Sequence, residues 1–267
     1  MPQDTEPDTG PATELDTQPA TEPDTQPATE PDTEPRRVLV LAAHPDDIDF
    51  GAAGTVATWT EAGIEVVYAI VTSGEAGEAF PDTPRAEVGA LREAEQLAAA
   101  KCVGVTDVRF LHWPDGRLVP SLELRRDLSR VIRQVRPDRI LIPSAELDLD
   151  RIYASHPDHR AVGEAAIAAV YPDARNPWAH PELLETEGLE PWTVPETWVM
   201  ATKHANQAVD ITEAFERKVA ALQAHASQIG GREGMDEMLR SWGAAIAAKM
   251  GLGENRIAEA FQVVNTR

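Results

Sequence analysis

The chain has 267 residues and a formal net charge of −21 at pH 7, with 45 Asp and Glu against 24 Lys and Arg. This acidity argues against nucleic acid and against anionic membranes as partners, because both bind basic surfaces. A single cysteine, Cys102, excludes an internal disulfide and any metal site built from several thiolates. The length suits one α/β domain with a substantial core.

The first 35 residues are acidic and repetitive. They carry no Lys or Arg, and an octad of the form Pro-Ala-Thr-Glu-Pro-Asp-Thr-Gln recurs, with small variations, at Pro11, Pro19 and Pro27. Without aromatic side chains, such a segment cannot bury enough apolar surface to offset the entropy of ordering it. We predict that residues 1–35 form a disordered tail and that residues 36–267 form the folded domain.

The sequence also bears on location. No apolar run approaches the length that a membrane span needs. The residues after Met1 lack the basic and apolar regions of a signal peptide. We therefore expect a cytoplasmic protein that binds no membrane, and the sequence is compatible with a homo-oligomer.

The folded part alternates strands and helices. The apolar run Val38–Ala42 is typical of a strand that is buried on both faces. Further strands are predicted at 64–71, 108–113, 140–142, 197–201 and about 260–264. Helices are predicted at 50–62, 84–103, 121–135, from about 156, at 212–228 and at about 233–250. This order predicts an α/β fold with a Rossmann-like, mostly parallel sheet and helices on both faces. Residues 172–195, rich in Pro, Trp and Glu, are expected to lie near the site rather than in the core.

Two polar clusters follow predicted strands. His44, Asp46 and Asp47 come directly after the first strand, where an open α/β sheet binds its ligands. His156 and His159 lie in a second cluster, Ser-His-Pro-Asp-His, after the fourth strand. Together the clusters offer two histidines and a carboxylate, the ligand type that zinc hydrolases use. The same set also suits Fe²⁺.

These motifs resemble those of the PIG-L/LmbE-like zinc-dependent N-acetylglucosaminyl deacetylases, a family that includes enzymes of the mycothiol and bacillithiol pathways. The resemblance rests on Ala-His-Pro-Asp-Asp at 43–47 and His-Pro-Asp-His at 156–159. It extends to the glycine-containing loop 72–77, to Arg92 and Glu95 in an Arg-x-x-Glu helix, and to Asp115-Gly116. It covers residues 37–170 and implies that residues 36–267 form a deacetylase-like catalytic domain.

The resemblance implies a role for each motif residue. The zinc ligands would be His44, Asp47 and His159. Asp46 would be the general base, and a protonated His156 would stabilise the oxyanion. Asp158 would orient a neighbouring imidazole, while Arg92 and Asp115 would contact sugar hydroxyls.

The residues themselves leave other interpretations open. Asp46 could serve only as a helix cap, a common use of Asp after a strand. His156 could be only a residue of a helix N-terminus, next to Pro157. The chain also departs from the family pattern, since Ile48 stands where many members have Glu and Asp49 follows it.

The hypothesis favoured by these observations is a metal-dependent hydrolase. It would remove an N-acyl group, most simply acetyl, from an amino-sugar or related small amide. An amidase acting on a larger thiol or specialised-metabolite conjugate is the alternative enzyme. A non-catalytic protein that binds a metal or a sugar is the alternative from another class.

Overall fold

The computed structural model describes residues 35–77, 83–229 and 233–267. Apart from Pro35, the tail predicted at residues 1–35 lies outside these ranges. The strands are β1 (Arg37–Ala42), β2 (Glu65–Thr72), β3 (Asp107–Trp113), β4 (Arg139–Pro143), β5 (Glu196–Met200), β6 (Gln207–Asp210) and β7 (Ala258–Asn265). The helices are α1 (Asp47–Glu61), α2 (Arg85–Cys102), α3 (Leu122–Val135), α4 (Pro157–Ala168), α5 (Pro181–Glu185), α6 (Phe215–Gln223), α7 (Ala226–Ile229) and α8 (Met235–Lys249).

The strands form one sheet of seven, in the order β3-β2-β1-β4-β5-β7-β6. The first five strands in this order run parallel to one another, whereas β7 runs antiparallel to both β5 and β6. The predicted mostly parallel α/β sheet is therefore confirmed. Because β1 pairs with β2 on one side and β4 on the other, the strand order reverses direction between β1 and β4.

Alternation along β1 builds a core on each face of the sheet. Val38, Val40 and Ala42 pack with the apolar side chains of α1 and α2. Leu39 and Leu41 pack on the opposite face, with those of α3 and α4. All five side chains are fully buried, as predicted for a strand covered on both faces. None of the helices in the described ranges is long and apolar enough to cross a bilayer.

The C-terminal third differs most from the prediction. The helix predicted at 212–228 is two helices, α6 and α7, separated by Ala224 and His225. Thr212 lies in a turn before α6, because its hydroxyl donates to Asp210 and accepts from the backbone N–H of Ile257. Strand β6 was not predicted, since four residues of mixed polarity give little periodic signal.

The segment 172–195 also differs from expectation. Ala174 and Val194 are buried in the core on the α3 side of the sheet. Arg133 of α3 is buried as well and donates to backbone carbonyls of this segment, including those of Ala174 and Asn176. The expectation that the segment lies outside the core is therefore wrong, because these bonds hold it against α3.

Candidate active site

The two polar clusters meet at the carboxyl ends of β1 and β4. His44 and Asp47 follow β1, and His156 and His159 lie at the start of α4, the helix after β4. This is the position at which the strand order reverses, and open α/β sheets bind their ligands at such a point. Chain topology alone thus brings together side chains that are more than a hundred residues apart.

Close packing of α4 on the end of β4 sets the position of the second cluster. A Cβ atom at Gly163 would lie 2.5 Å from the carbonyl oxygen of Pro143 and 2.8 Å from the backbone nitrogen of Ala145. Only glycine permits this approach. The first turn of α4 is thereby held beside the loop that follows β1.

The three ligands implied by the resemblance converge on one point. Nδ1 of His44 lies 3.2 Å from Nε2 of His159, and Oδ1 of Asp47 lies 3.0 Å from the same Nε2 atom. The other oxygen of Asp47 accepts from the backbone N–H groups of Ala43 and His44 at 3.1 and 2.9 Å. Asp47 is thus fixed by the backbone through one oxygen, which leaves the second oxygen facing His159.

The outer nitrogen of His44 faces two carboxylates. Its Nε2 atom lies 3.0 Å from Oδ1 of Asp115 and 3.4 Å from Oδ2 of Asp158. Asp158 also accepts from the backbone N–H groups of Gly116 and Leu118 at 2.7 and 3.2 Å. A histidine that binds a metal through one nitrogen commonly donates from the other to a carboxylate. Because Asp115 and Asp158 contact Nε2 of His44, the nitrogen that remains to bind a metal is Nδ1.

The electrostatics of the site favour a cation. Burial alone would lower the pKa of His44, but Asp47, Asp115 and Asp158 raise it to about 12. Burial opposes ionisation of Asp47, yet His159 and His44 keep its pKa well below the usual range. Two imidazole nitrogens and a carboxylate oxygen face one another amid this negative charge, so the donor set fits a divalent metal ion such as Zn²⁺.

Asp46 is adjacent to Asp47 but has different surroundings. It adopts φ 94°, and its side chain makes no capping hydrogen bond to α1. The carboxylate is 17% exposed and contacts the guanidinium of Arg92 at 3.3 Å. Burial and the charge of Asp47 raise the pKa of Asp46 to about 7. The helix-cap interpretation thus finds no support in the structure.

His156 caps α4 through one ring nitrogen. Its Nδ1 atom accepts from the backbone N–H of Asp158 at 3.2 Å. Burial and the neighbouring His44 and His159 lower the pKa of His156. A nitrogen that accepts a hydrogen bond carries no proton, so this geometry favours a neutral ring with Nε2–H as its donor, rather than a protonated ring. Ring nitrogens of His44, His156 and His159 lie within 4.8 Å of one another, so His156 borders the same site.

Arg92 and Asp115 are both bound by protein groups. Arg92 is buried and donates to the carbonyls of Pro45 and Gly74 at 2.7 and 2.8 Å. Gly74 has φ +69°, and a Cβ atom there would lie 2.4 Å from the guanidinium, which explains the glycine in this loop. Asp115 accepts from the backbone N–H of Ala76 in addition to contacting His44. The contact of either residue with sugar hydroxyls stays a prediction.

Three buried residues next to the site were missed by sequence reasoning. They are Asp49, Gln96 and His225, which are fully buried and linked to one another by hydrogen bonds. One sequence signal lay near these residues, namely the departure from the family pattern at positions 48 and 49. Ile48 is a core side chain, and Asp49 supplies the buried carboxylate.

Comparison with known proteins identifies the family to which the sequence belongs. The profile of the PIG-L family, described as GlcNAc-PI de-N-acetylase, matches residues 39–170. A diacetylchitobiose deacetylase of Thermococcus kodakarensis is 32% identical, over 72% of this chain and 70% of its own length. A probable N-acetyl-alpha-D-glucosaminyl L-malate deacetylase 2 of Bacillus anthracis is 31% identical, over 72% of this chain and 81% of its own length.

Among solved structures, the N,N'-diacetylchitobiose deacetylase of Pyrococcus horikoshii, complexed with its inhibitor MPG, is similar in fold and sequence. It superposes with a TM-score of 0.80 at 30% identity, covering 87% of this chain and 85% of that one. These relatives are deacetylases by name, and the similarity extends over most of each pair of chains. The chain described here belongs to the PIG-L family.

Proposed function

We propose that this chain is a metal-dependent N-deacetylase of small substrates that contain N-acetylglucosamine. The observation that carries the proposal is the convergence of His44, Asp47 and His159 beside Asp46, a carboxylate that neither caps a helix nor belongs to the ligand set. Relatives with N-acetylglucosaminyl substrates in their names support the substrate class.

The metal would be held by Nδ1 of His44, Nε2 of His159 and Oδ1 of Asp47. Zn²⁺ suits this donor set, and Fe²⁺ is the alternative. When bound, such an ion supplies Lewis acidity toward the acetamide carbonyl and lowers the pKa of a coordinated water. Asp115 and Asp158 hold the His44 ring in the tautomer that leaves Nδ1 free for the metal.

Asp46 serves as the general base. Its carboxylate takes a proton from the attacking water and later returns that proton to the departing amine nitrogen, which must leave neutral. The amide carbon–nitrogen bond breaks, and acetate and a free amine result. Arg92 steadies the Asp46 loop through its bonds to the carbonyls of Pro45 and Gly74.

His156 stabilises the charge that develops on the carbonyl oxygen. With Nδ1 engaged by the N-terminus of α4, its Nε2–H is oriented before the substrate arrives. A fixed donor of this kind stabilises an oxyanion more than it stabilises the ground-state carbonyl. Asp158 supports this role indirectly, because it lies in the first turn of the helix that His156 caps.

The functional test is release of free amine from N-acetylated sugars. Protein stripped of metal and reloaded with Zn²⁺ or Fe²⁺ should deacetylate N,N'-diacetylchitobiose or an N-acetylglucosaminyl glycoside, while chelated protein should not. An N-acetylated amino acid serves as the non-sugar amide. Hydrolysis of that amide with no amine from any of the sugars would contradict the sugar substrate class.

A cytoplasmic location and a homo-oligomer stay predictions from the sequence.

A further inference from the structure

A buried chain of hydrogen bonds leads from the C-terminal part of the protein to the backbone of Asp46. Nε2 of His225, in the turn between α6 and α7, lies 2.8 Å from Oδ2 of Asp49. The same oxygen accepts from Nε2 of Gln96 in α2 at 2.8 Å. Oε1 of Gln96 then accepts from the backbone N–H of Asp46 at 2.9 Å. These three bonds are termed the His225 chain below.

Each member of the His225 chain fixes the orientation of the next. Oδ2 of Asp49 accepts from Gln96, and the carboxylate oxygen facing His225 serves as an acceptor in the same way, so both side chains present N–H groups to Asp49. The amide of Gln96 is thereby oriented with its oxygen toward Asp46. The opposite orientation would direct an NH₂ group against the N–H of Asp46 and would lose both bonds.

Asp46 needs this external support because of its backbone conformation. A φ of 94° is unfavourable for a residue with a Cβ atom, and surrounding contacts must stabilise it. The direction of the Asp46 carboxylate follows from that backbone. Displacement of a reacting group by about 1 Å can lower turnover by about 10²-fold.

Helices α6 and α7 are firmly attached where the His225 chain begins. The backbone N–H and hydroxyl of Ser227 donate to the two oxygens of Glu95 at 2.6 and 2.5 Å. Lys218 of α6 donates to the backbone carbonyl of Asp49 at 3.1 Å and pairs with Glu259 at 2.5 Å. The turn with His225 is therefore attached both to α2 and to the first turn of α1.

We propose that His225 is a positioning residue for the catalytic base, acting through Asp49 and Gln96 on the backbone of Asp46. The inference rests on the proposed role of Asp46 in deacetylation. It assigns to the C-terminal part of the chain, beyond the residues matched by the family profile, the task of setting the direction of that carboxylate.

The test compares two buried histidines. His225→Leu removes the donor to Asp49, and His225→Gln keeps an N–H donor at the same place. His180 is the matched control, because it is also buried, and its Nε2 lies 3.3 Å from Oδ2 of the buried Asp173, in the segment held by α3. His180→Leu thus removes a similar pair with no path to Asp46.

We expect His225→Leu to lower kcat by about 10-fold to 100-fold with little change in KM or metal content. His225→Gln should recover most of that loss, and His180→Leu should keep kcat within about twofold of wild type. Equal losses in the two leucine variants would overturn the proposal, since a general packing defect would then explain both.

Two further measurements keep the test decisive. If His225→Leu does not fold, Gln96→Met removes the bond to Asp46 with a side chain of similar size, and unchanged kcat in this variant would overturn the proposal.

If the wild type deacetylates no sugar, the proposed function fails on its own. In that case, backbone hydrogen exchange of the metal-free protein tests whether His225 positions Asp46. Faster exchange across residues 43–49 in His225→Leu, but not in His180→Leu, supports positioning, and unchanged exchange in both contradicts it.

Discussion

Nδ1 of His44 lies 3.2 Å from Nε2 of His159. Two neutral imidazoles can share only one hydrogen across such a contact. Asp47, Asp115 and Asp158 surround the pair with negative charge. The arrangement is therefore stabilised by positive charge, whether protons or a metal ion supply it.

Protons and metal should compete for these histidines. In the metal-free protein the neighbouring carboxylates raise the pKa of His44 to about 12, so His44 carries an extra proton at neutral pH, and Asp47 also raises the pKa of His159. Metal binding must displace the extra proton on His44, so we expect release of at least about one proton per ion at pH 7 and weaker binding as the pH falls.

Titration calorimetry in buffers of different ionisation enthalpy measures this proton release. Binding enthalpies independent of the buffer would show that no proton is displaced. That result would contradict the ligand assignment of His44.

Asp46→Asn tests the base. The amide has nearly the same shape but cannot take a proton, so we expect kcat to fall by about 10²-fold to 10⁴-fold while metal content is retained. Steady-state kinetics and metal analysis on the same preparation check both points. Retention of wild-type kcat would remove Asp46 from the role of base.

The pH profile gives a second view of the same group. Burial and the charge of Asp47 raise the pKa of Asp46 to about 7 in the metal-free protein, and a bound cation would lower it. Because only the carboxylate form accepts a proton, kcat/KM should rise with pH along a limb with a midpoint at or below about 7. Activity that declines as the pH is raised from about 5 to 7 would contradict this account.

His156→Asn separates two functions of one side chain. Asn is among the best helix N-caps, so the bond to the backbone N–H of Asp158 can persist and α4 should remain stable. The Nε2–H donor is lost, and we expect kcat to fall by about 10²-fold to 10³-fold with metal retained. Loss of the metal instead would show that His156 is a ligand.

The domain boundary gives the simplest prediction. We propose that residues 1–35 are dispensable for catalysis, since β1 begins at Arg37 and the motif residues lie in the fold that follows. Deletion of residues 2–35 should leave kcat/KM within about twofold of the full chain. A large loss would assign a catalytic or substrate-binding role to the acidic repeats.

Local patterns predicted the elements that carry the motifs. The apolar run of β1 and the helix α2 depend on neighbouring residues, so the sequence reveals them. The association of the motifs at one sheet edge follows from the β-α alternation and the rule for parallel sheets. The direction of each carboxylate does not follow from these patterns, because it depends on the φ of Asp46 and on partners far along the chain.

His225 shows this limit most clearly. Its partner Asp49 is 176 positions away, and a histidine in a helical stretch carries no periodic signal that marks a buried pair. The interruption between α6 and α7 has the same origin, since it places His225 where its ring reaches Asp49. A helix spanning 212–228 was a reasonable local prediction, and the tertiary contact overrode it.

Metal content is the sharpest test of the proposed metal centre, determined by mass spectrometry on wild-type protein and Asp47→Ala purified side by side with ample metal. Asp47 contacts both histidines, so removal of its carboxylate should empty the site. We predict about one Zn²⁺ or Fe²⁺ per wild-type chain and little in the variant. Equal metal in both proteins, or none in either, would contradict a metal centre at His44, Asp47 and His159.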